Sequence, residues 1–269
     1  MKTLLFLTLL LTGILSQVSG NEIPARPPFD ENIIRDALRE YQAALVVITL
    51  PEQKIYYYRE ALCREPLSPC SSFKIVNLCC AAENNIIGSA DDRMPWDGKT
   101  RPIAAWNRDL TVKEAMAVSA VPHFQALAAR IGPDRMQRFL DRVAYGNRDI
   151  SGGITTFWLG SSLKISALQQ ADFLYRLQMK QLSFSPKTLN ILKKAVYQTT
   201  GKRGTLYGKT GTMADSPTGA PSLGWYVGWI EHDGKPVCTF ALNLRRGADP
   251  SGPNAKKIAI PLLEKLQLL

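Results

Sequence analysis

The chain has 269 residues, of which 33 are Lys or Arg, 23 are Asp or Glu, five are Cys and two are His, giving a net charge of +10. Because the cysteines show no Cys-x-x-Cys spacing and histidines are so few, a disulfide scaffold and a zinc site are not expected. The basic residues are scattered rather than clustered, which argues against a nucleic-acid partner and weakly favours small anionic molecules such as carboxylates.

The N-terminus has the pattern of a cleavable signal peptide over residues 1–20. One basic residue, Lys2, precedes an apolar stretch at 4–15 and the small residues Val18-Ser19-Gly20. The stretch is shorter than the roughly 20 residues that a transmembrane helix needs; a buried N-terminal helix is the alternative. The catalytic domain would then cover residues 21–269, with a net charge of 32 − 23 = +9. We expect it to be exported to the periplasm without a stable membrane anchor.

The first half of the mature chain predicts one helix, a hairpin and a long helical region. Asp30 is suited to cap a helix that extends to about Tyr41. Two β-rich runs at 45–50 and 54–58 follow, separated by the turn residues 51–53, which predicts a hairpin. From Ser71 to about Ile165 the chain is helical and rich in loops. Helical spacing of apolar residues is clearest at 124–131 and 135–143, and a long Gly- and Thr-rich loop is predicted over residues 145–160.

The second half predicts two helices, three strands and a final helix. The helices fall near 167–179 and 186–196, the strands at 205–212, 223–231 and 236–244, and the last helix at 255–269. This order predicts an α/β fold of the α+β type: a single antiparallel sheet built from both chain ends and packed against helices, with a helical lobe inserted between them. About 250 residues are enough for one large domain or two closely packed lobes.

The sequence offers a serine nucleophile that is activated without histidine. His123 and His232 are expected to be packing or surface residues, since neither belongs to a metal or catalytic motif. Ser71-Ser72-Phe73-Lys74 matches Ser-x-x-Lys, and residues three apart share one face of a helix. Lys74 would therefore lie beside the Ser71 hydroxyl and activate it. A serine at a helix N-terminus also has a free backbone N–H that can bind an oxyanion.

Two further motifs make this interpretation specific. Ser119-Ala120-Val121 supplies a serine that could shuttle a proton. Lys209-Thr210-Gly211 lies in a β-rich run and offers a cation and a hydroxyl to a carboxylate, while its glycine allows close approach to the backbone. A second Ser-x-x-Lys match, Ser161-Ser162-Leu163-Lys164, is discounted because no other motif accompanies it.

With these motifs in this order, nearly the whole mature chain resembles the class D serine β-lactamases, the oxacillinases. Eight segments at similar spacing carry the resemblance: Pro69–Ile75, Trp96–Gly98, Trp106–Leu110, Ser119–Pro122, Tyr145–Asn147, Phe157–Leu159, Tyr207–Gly211 and Gly224–Trp229. The resemblance implies the fold shared by serine β-lactamases and penicillin-binding transpeptidases. It also implies hydrolysis of a small-molecule β-lactam, with no metal and no cofactor apart from CO2.

The resemblance further implies the role of each matched residue. Ser71 would be acylated, and Lys74 would carry CO2 as a carbamate and act as general base. Ser119 would relay a proton to the β-lactam nitrogen, and Trp158 would donate its indole N–H to the carbamate. The substrate-binding residues would be Val121 and Leu159 as a roof, Lys209, Thr210 and Gly211 along the strand, and the backbone N–H groups of Thr212 and Ser71 as the oxyanion hole.

The residues themselves are consistent with a lysine base. A buried apolar site lowers the pKa of a lysine by desolvation, and the neutral amine can take up CO2. No Glu-x-x-Leu-Asn motif supplies the separate glutamate base of class A enzymes. Tyr145-x-Asn147 could suggest the tyrosine base of class C, but the chain is short for that class and we interpret Tyr145 as shaping a loop.

Several alternatives stay open at this point. The family offers an arginine near the C-terminal helix for the substrate carboxylate, whereas this chain has Lys256 there and Arg245 and Arg246 upstream. Cys63 and Cys70 could form a disulfide in an oxidising compartment, and the other three cysteines are expected to be buried. A D-alanyl-D-alanine peptidase and a non-hydrolysing penicillin sensor are the competing functions, and both would use the same nucleophile.

Overall fold

The sheet predicted from both chain ends is present. The computed structural model describes residues 29–214 and 219–269, so the predicted signal peptide lies outside the described residues. A six-stranded antiparallel sheet has the order β2-β1-β8-β7-β6-β5. Its strands are β1 Gln42–Thr49, β2 Ile55–Tyr58, β5 Tyr197–Thr200, β6 Thr205–Ala214, β7 Pro221–His232 and β8 Lys235–Arg245; β3 Arg93–Met94 and β4 Leu110–Thr111 pair separately.

Helices cover both faces of this sheet. They are α1 Glu31–Leu38, α2 Glu60–Arg64, α3 Lys74–Glu83, α4 Val112–Ala117, α5 Val121–Ile131, α6 Pro133–Val143, α7 Ala167–Gln178, α8 Pro186–Val196 and α9 Gly252–Lys265. α1 and α9, from the two chain ends, pack on one face, and the helices between β2 and β5 form the predicted lobe on the other. Among the described residues, no helix is long and apolar enough to cross a membrane.

Burial on both faces explains the apolar sequence of the central strands. In β1 the side chains of Val46 and Ile48 join the core of the helical lobe, whereas Leu45 and Val47 join the core beneath α1 and α9. Successive residues of a strand point to opposite faces, and here each face is covered. The strand is therefore apolar at almost every position instead of alternating with polar residues.

Two helices differ from the prediction at one end. Asp30 caps α1 as predicted, accepting from the backbone N–H of Asn32 at 2.9 Å, but the helix ends at Leu38 rather than Tyr41. α9 begins at Gly252, three residues before the predicted start, because Ser251 caps it by accepting from the N–H of Asn254. The strand β5 was not predicted: it directly continues α8 and forms by pairing with β6.

The disulfide between Cys63 and Cys70 is not formed, and both are free thiols. Cys63 Sγ donates to the backbone oxygen atoms of Leu45 and Tyr58, while Cys70 Sγ donates to the backbone oxygen of Ser68. The thiols thus have separate partners within the core. The remaining cysteines, Cys79, Cys80 and Cys238, are buried as predicted.

Candidate active site

Ser71 lies in a short 3₁₀ turn, Cys70–Phe73, that leads directly into α3. Lys74 is the first residue of α3, and its Nζ donates to Ser71 Oγ at 2.7 Å. The turn is held closed by Ser72, whose backbone N–H and hydroxyl both donate to the Pro69 oxygen, at 3.2 and 2.7 Å. The predicted proximity of Ser71 and Lys74 is therefore found, although it arises from a 3₁₀ turn at the helix start.

Lys74 occupies an environment that favours its neutral form. Its side chain is fully buried, and Nζ lies 5.4 Å from the centre of the Phe124 ring. Burial, and to a smaller extent the nearby charge of Lys209, hold the pKa of Lys74 well below its ordinary value of 10.5. No carboxylate among the described residues forms an ion pair with it. The amine beside the nucleophile is thus suited to accept rather than to hold a proton.

Ser119 and Lys209 meet across the cleft between the lobe and the sheet. Ser119 follows α4 in a left-handed conformation (φ 53°), and Lys209 Nζ donates to its Oγ at 3.1 Å. The same ammonium group contacts Thr210 O at 3.0 Å and Thr210 Oγ1 at 3.2 Å. Burial, with a smaller contribution from the Lys256 charge, lowers the pKa of Lys209 to about 7. The second and third sequence motifs therefore form one hydrogen-bonded cluster.

Gly211 brings strand β6 against the nucleophile turn. A Cβ atom at this position would lie 2.9 Å from Pro69 O, 3.0 Å from Ser72 N and 3.3 Å from Ser71 N. Only a residue without a side chain permits this approach. The close contact places the next residue, the exposed Thr212, at the same end of the cleft as Ser71.

Trp158 is buried against Phe73, the residue before Lys74, with an unpaired donor. Its side chain is fully buried and stacks on Phe73 with ring centres 5.4 Å apart, and Phe157 packs edge-on at 5.0 Å. Within the described parts of the chain, the indole Nε1 has no hydrogen-bond partner. A buried donor without a partner costs about 1–3 kcal/mol, so the site suits a ligand that accepts this bond. Val121, at the start of α5, and Leu159 are partly buried.

Comparisons with known proteins agree with this geometry. A family model described as the penicillin binding protein transpeptidase domain matches residues 39–264. The chain is 37% identical over 237 residues to the probable β-lactamase YbxI of Bacillus subtilis, which spans 88% of this chain and 85% of that protein. It is also 38% identical over 196 residues to β-lactamase OXA-10 of Pseudomonas aeruginosa, covering 73% of each chain.

Solved structures give the same result. A class D β-lactamase from Bacillus subtilis matches with a TM-score of 0.80 and 36% identity, over 88% of this chain and 96% of that one. The chain belongs to the class D β-lactamases. The regulatory protein BlaR1 of Bacillus licheniformis is similar as well, at 31% identity over 78% of this chain, but the match covers only 34% of BlaR1.

Other groups considered in this class D β-lactamase do not join the nucleophile. Ser161 packs against Gly152, so the second Ser-x-x-Lys motif stays part of the loop. Tyr145 donates to Gln170 Oε1 at 3.0 Å rather than to Ser71, and burial raises its pKa. His123 contacts the backbone oxygen of Arg108. No group of three potential metal ligands occurs in the part of the chain that the structure describes.

The structure also distinguishes between the candidates for a second basic residue that binds the substrate carboxylate. Arg245 is paired with Glu65 and donates to Leu62 O at 3.0 Å, which removes it from the cleft. Lys256 instead reaches Gln198 Oε1 at 2.5 Å and lies near enough to Lys209 for its charge to lower the pKa of that residue. Lys256 is therefore the better-placed partner for an anion bound at Lys209.

Sequence reasoning did not find two buried polar residues behind the nucleophile. Gln170 donates to Ser72 Oγ at 3.0 Å and accepts from Tyr145. Ser68 lies just before Pro69 and links the nucleophile segment to the Trp158 loop. Neither residue belongs to a motif. Ser68 bonds to Trp158 and Gln170 bonds to Ser72, and each pair is 90 or more residues apart in the chain, so these contacts form only on folding. The only signal in the sequence for these two residues was that Ser68 directly precedes the Pro69-Cys70-Ser71 segment.

Proposed function

We propose that this class D β-lactamase hydrolyses β-lactam antibiotics through an acyl-enzyme on Ser71, with a CO2-modified Lys74 as general base. The observation that carries the proposal is the fully buried Lys74 amine, 2.7 Å from Ser71 Oγ and without a carboxylate partner among the described residues. Relatives named as β-lactamases support the reaction. An exported enzyme of this kind would protect its host from these antibiotics.

The residues around Lys74 fit a carbamate. A carbamate forms only on a neutral amine, and the lowered pKa of Lys74 favours that form. The unpaired indole N–H of Trp158 provides a donor that a carbamate oxygen would satisfy. When present, the group supplies an anionic oxygen base, which a site without a suitably placed histidine or glutamate otherwise lacks.

Attack by Ser71 Oγ on the β-lactam carbonyl, with the hydroxyl proton taken up at Lys74, places negative charge on the carbonyl oxygen, and collapse of this tetrahedral intermediate breaks the strained amide bond. The backbone N–H groups of Ser71 and Thr212 would stabilise that charge, and the contact between Gly211 and the nucleophile turn supports this pairing. The lactam nitrogen leaves with a proton. Ser119 is suited to deliver it, because its hydroxyl is hydrogen-bonded to Lys209 Nζ at 3.1 Å.

The substrate carboxylate would bind at the cluster of Lys209 and Thr210. Lys209 is buried and offers its charge in a region of low dielectric, where an ion pair is stronger than in water. Thr210 Oγ1 lies 3.2 Å from Lys209 Nζ and can donate to the same carboxylate. Lys256 adds a second positive charge behind this pair, and Val121 and Leu159 would cover the apolar side of the pocket.

Repeated turnover of a β-lactam distinguishes a hydrolase from a penicillin sensor and from a D-alanyl-D-alanine peptidase. Purified protein should hydrolyse many equivalents of a chromogenic β-lactam such as nitrocefin, and intact-protein mass spectrometry during turnover should show a transient adduct on Ser71. A single equivalent consumed with a lasting adduct would instead identify a penicillin sensor or a peptidase that deacylates slowly. Hydrolysis that persists in Ser71→Ala would contradict the proposed nucleophile.

A further inference from the structure

Ser68 is a buried serine that joins two separate parts of the site. Its side chain is only 3% exposed. Ser68 Oγ donates to the backbone oxygen of Trp158 at 3.0 Å and accepts from the backbone N–H of Gly160 at 2.9 Å. Its own backbone oxygen accepts from Trp225 Nε1 of strand β7 at 2.9 Å. One hydroxyl thus holds the backbone on both sides of Leu159, directly after Trp158.

The loop around Trp158 has few other attachments to the nucleophile segment. Residues 144–166 contain no helix or strand, and the loop rejoins the segment before Ser71 through the backbone pair Leu67 and Ile165, at 3.0 and 2.8 Å. That pair fixes the end of the loop. Among the residues that the structure describes, only Ser68 ties the backbone of Trp158 itself to the nucleophile segment.

We infer that Ser68 is a positioning residue that holds the Trp158 indole N–H toward Lys74 and thereby retains CO2 on that lysine. This inference rests on the proposed function. The indole plane is set by stacking on Phe73, the residue before Lys74, but stacking permits sliding in the plane. The two hydrogen bonds of Ser68 oppose such sliding, because they fix the backbone on both sides of Leu159.

Ser162 provides a matched control in the same loop. Its Oγ donates to the Asp149 backbone oxygen at 2.9 Å and accepts from the Gly152 N–H at 3.0 Å, the same pattern that Ser68 makes. Ser162 belongs to neither the catalytic nor the substrate-binding residues. Ser68→Ala and Ser162→Ala therefore each remove one hydroxyl with two backbone bonds, although Ser68 Oγ also accepts from the Cys70 thiol at 3.6 Å, and only Ser68 acts at Trp158.

The test compares wild type, Ser68→Ala, Ser162→Ala, Trp158→Phe and the Ser68→Ala/Trp158→Phe double variant. Two quantities are titrated with 13C-bicarbonate: the carbamate signal in the 13C NMR spectrum and the recovery of nitrocefin turnover. We expect Ser68→Ala to raise the half-saturating bicarbonate concentration roughly tenfold, the scale of one lost hydrogen bond. At saturating bicarbonate its kcat should return to the wild-type value, which a general folding defect would not allow. Ser162→Ala should titrate like wild type.

The double variant tests the route of the effect. If Ser68 acts through the indole N–H, adding Ser68→Ala to Trp158→Phe should change the bicarbonate requirement by less than twofold. Equal titrations for Ser68→Ala and Ser162→Ala, or additive effects in the double variant, would overturn the role of Ser68. A wild-type protein with no carbamate signal and no response to bicarbonate would instead overturn the proposed base itself.

Discussion

The backbone N–H of Gly252 donates a 2.9 Å hydrogen bond to Thr212 Oγ1, which joins the N-terminus of α9 to strand β6. A Cβ atom on Gly252 would lie 2.5 Å from Gly211 O, so the helix start rests directly on the strand. Strand β6 is therefore packed at Gly211 between α9 and the nucleophile turn. Its position relative to Ser71 depends on contacts from both chain ends.

Thr212→Val should slow acylation because it removes the acceptor for Gly252 while keeping the shape of the side chain. We expect a roughly five- to tenfold lower acylation rate, in line with about 1 kcal/mol for one hydrogen bond, and a lower melting temperature. Thr212→Ser retains the acceptor and serves as the control. Stopped-flow acylation with nitrocefin and thermal unfolding measure both effects. Equal rates for the two variants would show that the bond does not position the strand.

Ser71→Ala should abolish both turnover and covalent labelling by penicillin, because the Ser71 hydroxyl lies 2.7 Å from Nζ of Lys74, the proposed base, whereas Ser119 contacts Lys209 instead. Ser161→Ala, which alters the second Ser-x-x-Lys motif, should label and turn over like wild type. Intact-protein mass spectrometry followed by peptide mapping measures the label. An adduct that remains in Ser71→Ala, or appears on Ser161, would refute the assignment.

Lys74→Ala should fail first at deacylation. Ring strain in the substrate assists acylation, whereas hydrolysis of the acyl ester needs a base to activate water. We expect Lys74→Ala to accumulate whatever acyl-enzyme it forms, for hours rather than milliseconds. Mass spectrometry after a short exposure to penicillin and dilution measures the lifetime. Lys164→Ala, in the second motif, is the control and should deacylate normally, while rapid deacylation by Lys74→Ala would place the base elsewhere.

Wild-type activity should fall on acidification and on removal of CO2. Because burial lowers the pKa of Lys74, its amine stays neutral at pH values below 10.5. Activity should be lost as the pH falls through the lowered pKa, because the protonated amine cannot hold CO2. Added bicarbonate should restore activity. Steady-state turnover in degassed buffer at two pH values, with and without bicarbonate, measures this. Full activity in CO2-free, mildly acidic buffer would contradict the proposal.

Lys256→Gln should weaken recognition of the substrate carboxylate. Loss of its charge should raise KM for benzylpenicillin roughly fivefold, on the scale of one partly buried ion pair. It should also raise the pKa of Lys209 above its present value of about 7. Lys209 binds a carboxylate only while protonated, so the alkaline fall of kcat/KM should move to higher pH in the variant.

Lys257→Gln makes the same charge change one residue along α9, on an exposed side chain, and controls for net charge. Its KM and its pH profile should match those of wild type. If Lys256→Gln and Lys257→Gln behave alike, Lys256 does not contribute to the carboxylate site. A raised KM with an unchanged pH profile would mean that Lys256 binds the carboxylate directly and does not act through the pKa of Lys209.

Local sequence patterns predicted the parts of the fold whose cause is local. The hairpin of β1 and β2, the helix cap at Asp30 and the three long C-terminal strands follow from apolar patterns and capping residues within a few positions. The elements that were missed are short and depend on partners far along the chain. β5 pairs with β6, and the two-residue strands β3 and β4 pair only with each other. Their own residues carry too little signal to specify them.

By itself the sequence determined which groups are available: the three-residue spacing lets Ser71 and Lys74 share the turn at the start of α3. Only the tertiary structure decided the environment of these groups. Burial of the Lys74 amine, the unpaired indole N–H of Trp158 and the Ser68 hydrogen bonds depend on segments about 90 residues apart. Desolvation and hydrogen-bond geometry are properties of packed surfaces, and no local pattern encodes which distant segment will cover a given side chain.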